Sequence, residues 1–589
     1  MIRRMLGNRI VQICLVLGVL LVAVLLWLGF SALKVRGDLD GARDDASKAR
    51  SLALDGDQDA AGQAADAAAD KAQSASDWSH GIVWSAAASI PWLGDPLDSV
   101  AQMSDAVQSL ATDVLVPSAQ LASALNPAEL RDGSTLDTGP LAEAEPQLAQ
   151  VAATSSEIAA QVEAIDPSWL GVVSDAHTQL QEQVDEAAAT MTGTHVASQL
   201  VPTMLGGDGP RNYFLAFQTP SEARGTGGLV GGFAILNARD GRVTIPTLGA
   251  NSTFEHPVRP QIDLGPDYDA IYSSYRPYTD FRNNNLSANF PDAAKIWIAN
   301  WKRQSGQQLD GAMALDPIAL SYVLKVTGPV TLPDGETITA DNVVPITLST
   351  SYERFRGDSA ERKLYLQSIA KAVVDQAVSS GGDTGALLEA LGHGVQERRI
   401  MIYSTHPDEE RILQSTELGH QISDTTAPYL QVAIGNAGGN KLDYYLRRDI
   451  SYTAGECSGD TRESKVVVKL TNTLDDLTLS DYVIAPNGTV RNLPKGTNLS
   501  NVEMLTTKGS VVKEITVDGS SPMRVEQPLN GRPYVATAVQ IPPGETVTIE
   551  MTLEEPTMAR GEAVVPIQPL VDDPTVHVDV PVCGGSSSD

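Results

Sequence analysis

The residues best suited to chemistry in this chain are arginines set beside carboxylates, against a background of 73 Asp and Glu to 42 Lys and Arg. Glu222 and Arg224 precede a glycine cluster at 225–232. Asp280 and Arg282 precede an Asn-rich loop, and Arg354, Arg356, Asp358 and Arg362 share one short segment. A guanidinium is a planar fork of donors that suits phosphate. Carboxylates nearby can hold Mg²⁺ and bridge it to a pyrophosphate, whose developing charge as a leaving group is where such residues would count. On this reading Arg224, Arg282, Arg354, Arg356 and Arg362 are the phosphate-binding candidates, and Glu222 and Asp358 the metal candidates. Surface ion pairs at a helix start are the other reading of the same residues, and spacing alone favours it. The stronger enzyme signatures are missing: there is no Gly-x-Ser-x-Gly elbow, His-Glu-x-x-His, Walker loop or Cys-x-x-Cys, and the glycines at 225–232 do not fit the dinucleotide fingerprint.

The elements that must position these residues follow from periodicity. Alternating apolar runs at 212–218, 229–237 and 243–248, with a turn signal at Asp240-Gly241, predict strands. Helices are predicted over 291–301, with Asn289 near the start, over 317–325 and over 360–379. A strand is predicted over 309–315. This alternation predicts a mixed α/β domain over 206–405. Trp297 and Trp301, four apart, belong to one buried helix face. Beyond 428, β-rich runs at 465–470, 480–485, 511–517, 534–541 and 546–553 are separated by turns and predict a β-sandwich domain over 428–583, followed by a Gly/Ser-rich disordered tail at 584–589. Cys457 and Cys583 are expected to pair as a disulfide, and two cysteines without a histidine cluster argue against zinc.

Residues 37–205 read as an acidic helical stalk or bundle. Between 37 and 200 there are 26 acidic and 5 basic residues, a field that repels nucleic acid. Apolar stripes at Leu148, Val151, Ile158, Val162 and Ile165, and at Val173, His177, Leu180, Val184 and Met191, have the three-and-four spacing of helices that bury against partners. The Trp-bearing stretch at 82–97 is either a hairpin packed in the bundle or a membrane contact. Ahead of the stalk, 10–33 is a run of 24 residues without a charge, about 36 Å as a helix. Arg3, Arg4 and Arg9 precede it and no small-residue cleavage site follows. The expectation is a transmembrane signal anchor over 10–33, a cytoplasmic N-terminus at 1–9, and a bulk lying outside the cytoplasm in the cell envelope.

The run RNYFLAFQTPSEARGTGG at 211–228, NLSANFPD at 285–292 and LDGAMALDPIALSYVLKVTGPV at 309–330 together resemble the bacterial family catalogued as domain of unknown function 4012, over about 206–380. A weaker likeness is to the LytR-CpsA-Psr ligases. It rests on the order of strands, on Thr-Gly-Pro-Val at 327–330, and on YERFRGDSAERK at 352–363, where Gly357-Asp358 and Arg362 approximate the ligases' arginine segment and Arg224 stands for the arginine of their first loop. The ligases' Pro-Arg-Asp has no counterpart, since this chain reads GANSTF at 249–254. That resemblance implies a LytR-CpsA-Psr-like α/β domain, possible Mg²⁺, and binding or transfer of a polyprenyl-pyrophosphate-linked glycopolymer. The partners implied are the membrane through the N-terminal helix, and a lipid-linked glycopolymer or the cell wall. The competing expectation is a non-enzymatic scaffold with no phosphate site.

Overall fold

The computed structural model describes residues 2–54, 57–121, 130–132, 135–379, 384–487 and 492–583. For 2–23, 25, 54, 131, 132, 378, 379, 384, 385 and 388 among them, it describes the backbone alone. The tail expected at 584–589 lies outside the described residues. The chain forms two compact units, Met1–Gly209 and Pro210–Asp589.

The first unit is helical: α1 (Ile2–Leu54), α2 (Gln58–Ser79), α3 (Ile82–Ala88), α4 (Asp95–Ser109), α5 (Val116–Gln120), α6 (Gly139–Glu163) and α7 (Gly171–Met204). Alanine favours helix and lets backbones approach closely, and the α1–α2 seam uses both properties, with Ala42, Ala49, Ala65, Ala68, Ala72 and Ala75 buried. Asp57 caps α2 by accepting the amide of Ala60 at 3.1 Å. Val151, Ile158 and Val162 of α6 pack with Val173 and Val184 of α7. His177 is spent on this seam, its Nε2 donating to the Val162 carbonyl at 2.7 Å. In the 82–97 stretch Trp84 is buried and donates to the Leu97 carbonyl at 2.9 Å.

The transmembrane expectation is corrected. Among the described residues no helix is long and apolar enough to cross a membrane. The stretch 10–33 lies in α1, a helix that runs on to Leu54 and carries Lys34, Arg36, Asp38 and Asp40 among its described side chains, while the side chains at 10–23 and 25 lie outside those described. The signal anchor, the cytoplasmic 1–9, the single-pass membrane location and the extracytoplasmic, cell-envelope placement of the bulk all rested on that span. The fold class becomes mixed α/β with several sheets.

In the second unit β1 (Arg211–Arg224), β2 (Gly227–Arg239), β3 (Arg242–Ala250), β4 (Gly311–Leu315) and β5 (Met401–Ser404) lie in one sheet in the order β3-β2-β1-β4-β5. Only the β1–β4 pairing is parallel among these. The glycine cluster is explained by close backbone approach: a Cβ on Gly225 would sit 2.1 Å from the Leu286 carbonyl oxygen, and one on Gly228 2.3 Å from the Thr219 carbonyl carbon. Helices α8 (Pro266–Tyr272), α9 (Phe290–Ser305), α10 (Pro317–Thr327), α11 (Ser359–Ser379), α12 (Thr384–Gln396) and α13 (Pro407–Gln414) accompany the sheet. Trp297 and Trp301 of α9 close an aromatic core with Phe214, Phe233, Phe254 and Phe281.

Two further sheets follow. One contains β6 (Leu430–Asn436), β9 (Asn498–Thr506), β12 (Arg532–Ile541) and β11 (Arg524–Leu529), in that order. The other runs β10 (Val511–Val517), β13 (Thr546–Pro556), β8 (Thr461–Asn472), β7 (Leu446–Ala454) and β14 (Thr575–Asp579). Their inner faces share one core, in which Ile434, Val502 and Val535 meet Tyr452, Val468 and Ile549. The run 480–485, read as a strand, is instead a helical turn, Asp481–Ile484, because Val483 and Ile484 both turn inward onto Leu442, Leu474 and Tyr352. Cys457 and Cys583 form a disulfide with Cα atoms 5.6 Å apart, fixing the chain beyond β14 to the β7–β8 connection.

Candidate functional site

β1 ends in a buried run, Ser221 to Arg224, that re-pairs with β2 at Ala223 and Arg224 after an irregularity in register and meets the first strand of the sandwich. Arg224 donates from Nη2 to Glu222 Oε1 at 3.1 Å, from Nε to the Arg282 carbonyl at 3.1 Å and from Nη1 to its neighbour's carbonyl, Ala223, at 2.8 Å. The other oxygen of Glu222 is paired with Lys441 Nζ. Burial alone would raise the pKa of Glu222; the charges of Lys441 and Arg224 overcome that and hold it below the usual carboxylate range. Lys441 is 4 % exposed, and although burial disfavours its charge, Glu222 keeps it firmly protonated. Beside them Asp443 accepts the amide of Ala223 at 2.8 Å and the side-chain amides of Asn436 at 2.7 Å and Asn498 at 2.8 Å. Its pKa is raised by burial.

Above this ionic pair lies a stack of rings and cations. Tyr352, from the helical segment 343–354, and Tyr482, from the Asp481–Ile484 turn, have ring centroids 5.7 Å apart and planes 27° apart. Lys441 Nζ is 5.5 Å from each ring centroid. The Arg362 guanidinium, from the first turn of α11, lies 4.7 Å from the Tyr352 centroid and 4.5 Å from that of Tyr482. Arg362 is 5 % exposed, and no carboxylate among the described residues lies within ion-pairing distance of it. Its neighbour Lys363 has its pKa lowered by burial and, against the opposing pull of Tyr482, by the Arg362 charge. Tyr482 is 52 % exposed, so the stack opens to solvent on that side.

The other named arginines are each neutralised. Arg282 is gripped by Asp280 through two donors, at 2.9 and 2.7 Å, with its side chain more than half exposed. Arg354 pairs with Glu336 at 2.6 Å and lies over the rings of Phe355 and Tyr365. Arg356 pairs with Glu353, which also accepts the Ser480 amide at 2.9 Å. The structure therefore gathers Glu222, Arg224 and Arg362 around Lys441 and leaves Arg282 and Arg354 to local ion pairs. The two metal candidates do not fit Mg²⁺. Both oxygens of Glu222 are held by cations, and Asp358 caps α11 by accepting the amides of Ala360 at 3.1 Å and Glu361 at 2.9 Å. Among the described residues no group of three or more His, Cys, Asp or Glu is placed to hold a metal ion.

Glu222, Arg224, Arg282 and Tyr352 all lie in one stretch of recognised sequence. Residues 208–352 match the model of a family described as a protein of unknown function, DUF4012. No curated protein and no solved structure matches the chain. The DUF4012 match ends at Tyr352, so Arg362, Lys441 and Tyr482 come from sequence beyond it. Lys441, Tyr352 and Tyr482 are the members that sequence reading missed. Lys441 carries no motif, and its one signal is a lone cation after Gly438-Gly439.

Proposed function

We propose that the second unit binds a phosphate-bearing ligand at Arg362, with Lys363 and Lys441 contributing charge and Tyr482 forming the open wall. The ligand class is that expected from the sequence, a polyprenyl-pyrophosphate-linked glycopolymer. The observation that carries this reading is a buried guanidinium without a carboxylate. A charge taken out of water is costly unless something pairs with it, and in a chain of net charge −31 a local excess of cations marks a place for an anion. Binding rather than transfer is the activity supported. Of the carboxylates expected to manage Mg²⁺, Glu222 has both oxygens held by cations, and Asp358 gives Oδ1 to the amides that open α11. Where the ligases to which the sequence bears a weak likeness place Pro-Arg-Asp, this chain has Phe254 in the aromatic core and Asn251 donating to the Val230 carbonyl at 3.1 Å.

The competing reading, a scaffold with no phosphate site, makes Arg362 a cation–π staple between α11 and the Asp481–Ile484 turn. Titration of the full chain with inorganic pyrophosphate and with farnesyl pyrophosphate separates the two. Arg362→Gln keeps a planar polar head and removes the charge, so phosphate binding should weaken tenfold or more, with Arg362→Lys in between. Tighter binding of the farnesyl probe would assign part of the affinity to the lipid tail. Equal affinity of wild type and Arg362→Gln for both probes, or no binding by wild type, refutes the phosphate site and leaves the staple.

A further inference from the structure

The second unit also carries a cavity of about 960 Å³, walled by the exit of α12, the segment 414–425 and the return segment 564–576. This is the upper end of small-molecule pockets, about 300–1,000 Å³. Arg398 lines it in an unusual backbone state. It leaves α12 with φ +59°, the left-handed conformation that helix exits normally give to glycine. A non-glycine residue held there against its preference points to a role for its side chain. Arg398 is 8 % exposed; Nη1 is paired with Glu417, and Nη2 is buried with no hydrogen-bond partner. The state is braced by His420, itself left-handed at φ +40° and 1 % exposed, which hydrogen-bonds to the Arg398 backbone and is kept neutral by burial and by the Arg398 charge.

The charge balance of the cavity restricts what can fill it. Arg399 and Arg448 also line the wall, but their charges are met by Asp316 and by Asp572 at 2.8 Å each. The lining carboxylates outnumber the guanidiniums five to three, and Asp573 has no ion pair among the described residues. An anion meets this surplus of negative charge, and a cation cannot satisfy the free donor of Arg398. A hydroxyl can do both, accepting from the guanidinium and donating to a carboxylate. Pro566, Pro569 and Val564 supply the apolar surface on which the C–H face of a sugar ring rests.

We propose that this cavity binds a neutral oligosaccharide, with the Arg398 guanidinium as donor and the exposed Asp573 carboxylate as acceptor. This rests on different residues from the Arg362 site and stands independently of it. The test uses the full chain with chitotetraose, cellotetraose and maltotetraose as probes, by calorimetry and saturation-transfer NMR. Arg398→Gly suits the left-handed backbone, so it removes the guanidinium while leaving the turn its preferred residue, and Asp573→Asn alters an exposed side chain without touching packing. At least one tetrasaccharide should bind, with an affinity that is unchanged by added salt and falls about tenfold in each variant while melting temperature is retained. Binding of none of the three, undiminished binding by both variants, or displacement of the sugar by inorganic phosphate would each overturn the proposal.

Discussion

Glu503 gives the second unit a pH dependence that can be worked from the structure. It lies on β9, half-buried between Tyr272 and Tyr534, with no cation acting on it. Its carboxylate accepts the Tyr272 hydroxyl at 2.9 Å and a hydrogen bond from Tyr534. Burial pushes its pKa up to about 7, against the opposing effect of the two phenols. The native state therefore holds the proton more tightly than the unfolded chain, whose pKa is near 4.5. The stability this supplies is complete below the unfolded value and is lost as pH rises through the native one. With about 1.4 kcal/mol for each pKa unit, the loss from pH 4 to pH 8 is about 3 kcal/mol. Glu503→Gln is uncharged at every pH and keeps both tyrosines supplied with an acceptor. Denaturant unfolding of wild type and variant at constant ionic strength isolates the residue, since every other titrating group cancels in the difference. The variant should gain on wild type by about 3 kcal/mol across that range, most of it between pH 5 and 7. Parallel pH profiles for the two proteins would refute the assignment.

Lys441→Met should destabilise by about 3 kcal/mol, because it leaves one oxygen of the buried Glu222 carboxylate without a cation while Arg224 holds the other. Adding Glu222→Gln should recover part of that loss, which a double-mutant cycle in urea would measure. Cys457→Ser opens a disulfide spanning 126 residues, with an expected cost of about 2–5 kcal/mol; a dithiothreitol treatment of wild type should lower the melting temperature by a similar amount and leave the variant unchanged. Gly225→Ala should cost at least about 1–3 kcal/mol through overpacking, since the methyl meets the Leu286 backbone, and thermal melts compared with Gly392→Ala, which has open space and no positive φ, check whether the contact rather than the chain entropy is responsible.

What the sequence made legible was what repeats within a few residues. The stripe from Leu148 to Ile165 states its buried face because a helix returns every three to four positions, and Trp297 with Trp301 states the face of α9 in the same way. The segment 480–485 failed because a short apolar run holds too few periods to separate a strand from one helical turn, and the decision lay with Leu442 and Tyr352, distant in sequence. The candidate site is harder for the same reason. Five arginines look alike in the chain, and what distinguishes Arg362 is that no described carboxylate pairs with it, which is a property of the folded surroundings. Glu222 finds its counter-ion 219 residues away, beyond any local pattern. Arg398 is not legible in the sequence, because a left-handed arginine leaves no mark on composition or spacing.

β1 belongs to two interiors at once. Phe214, near its start, is packed among the aromatic rings over the α/β sheet, and Ala223, near its end, is counted among the residues of the sandwich interior. A single extended strand of 14 residues is thus built into two walls, like a beam whose ends cannot be loosened separately. Melting either interior frees one end of the strand and removes the support of the other, so the halves of the second unit are bound to fail together. A protease acting on residues 405–428 should find no half that survives alone, and calorimetry should record one endotherm for the unit.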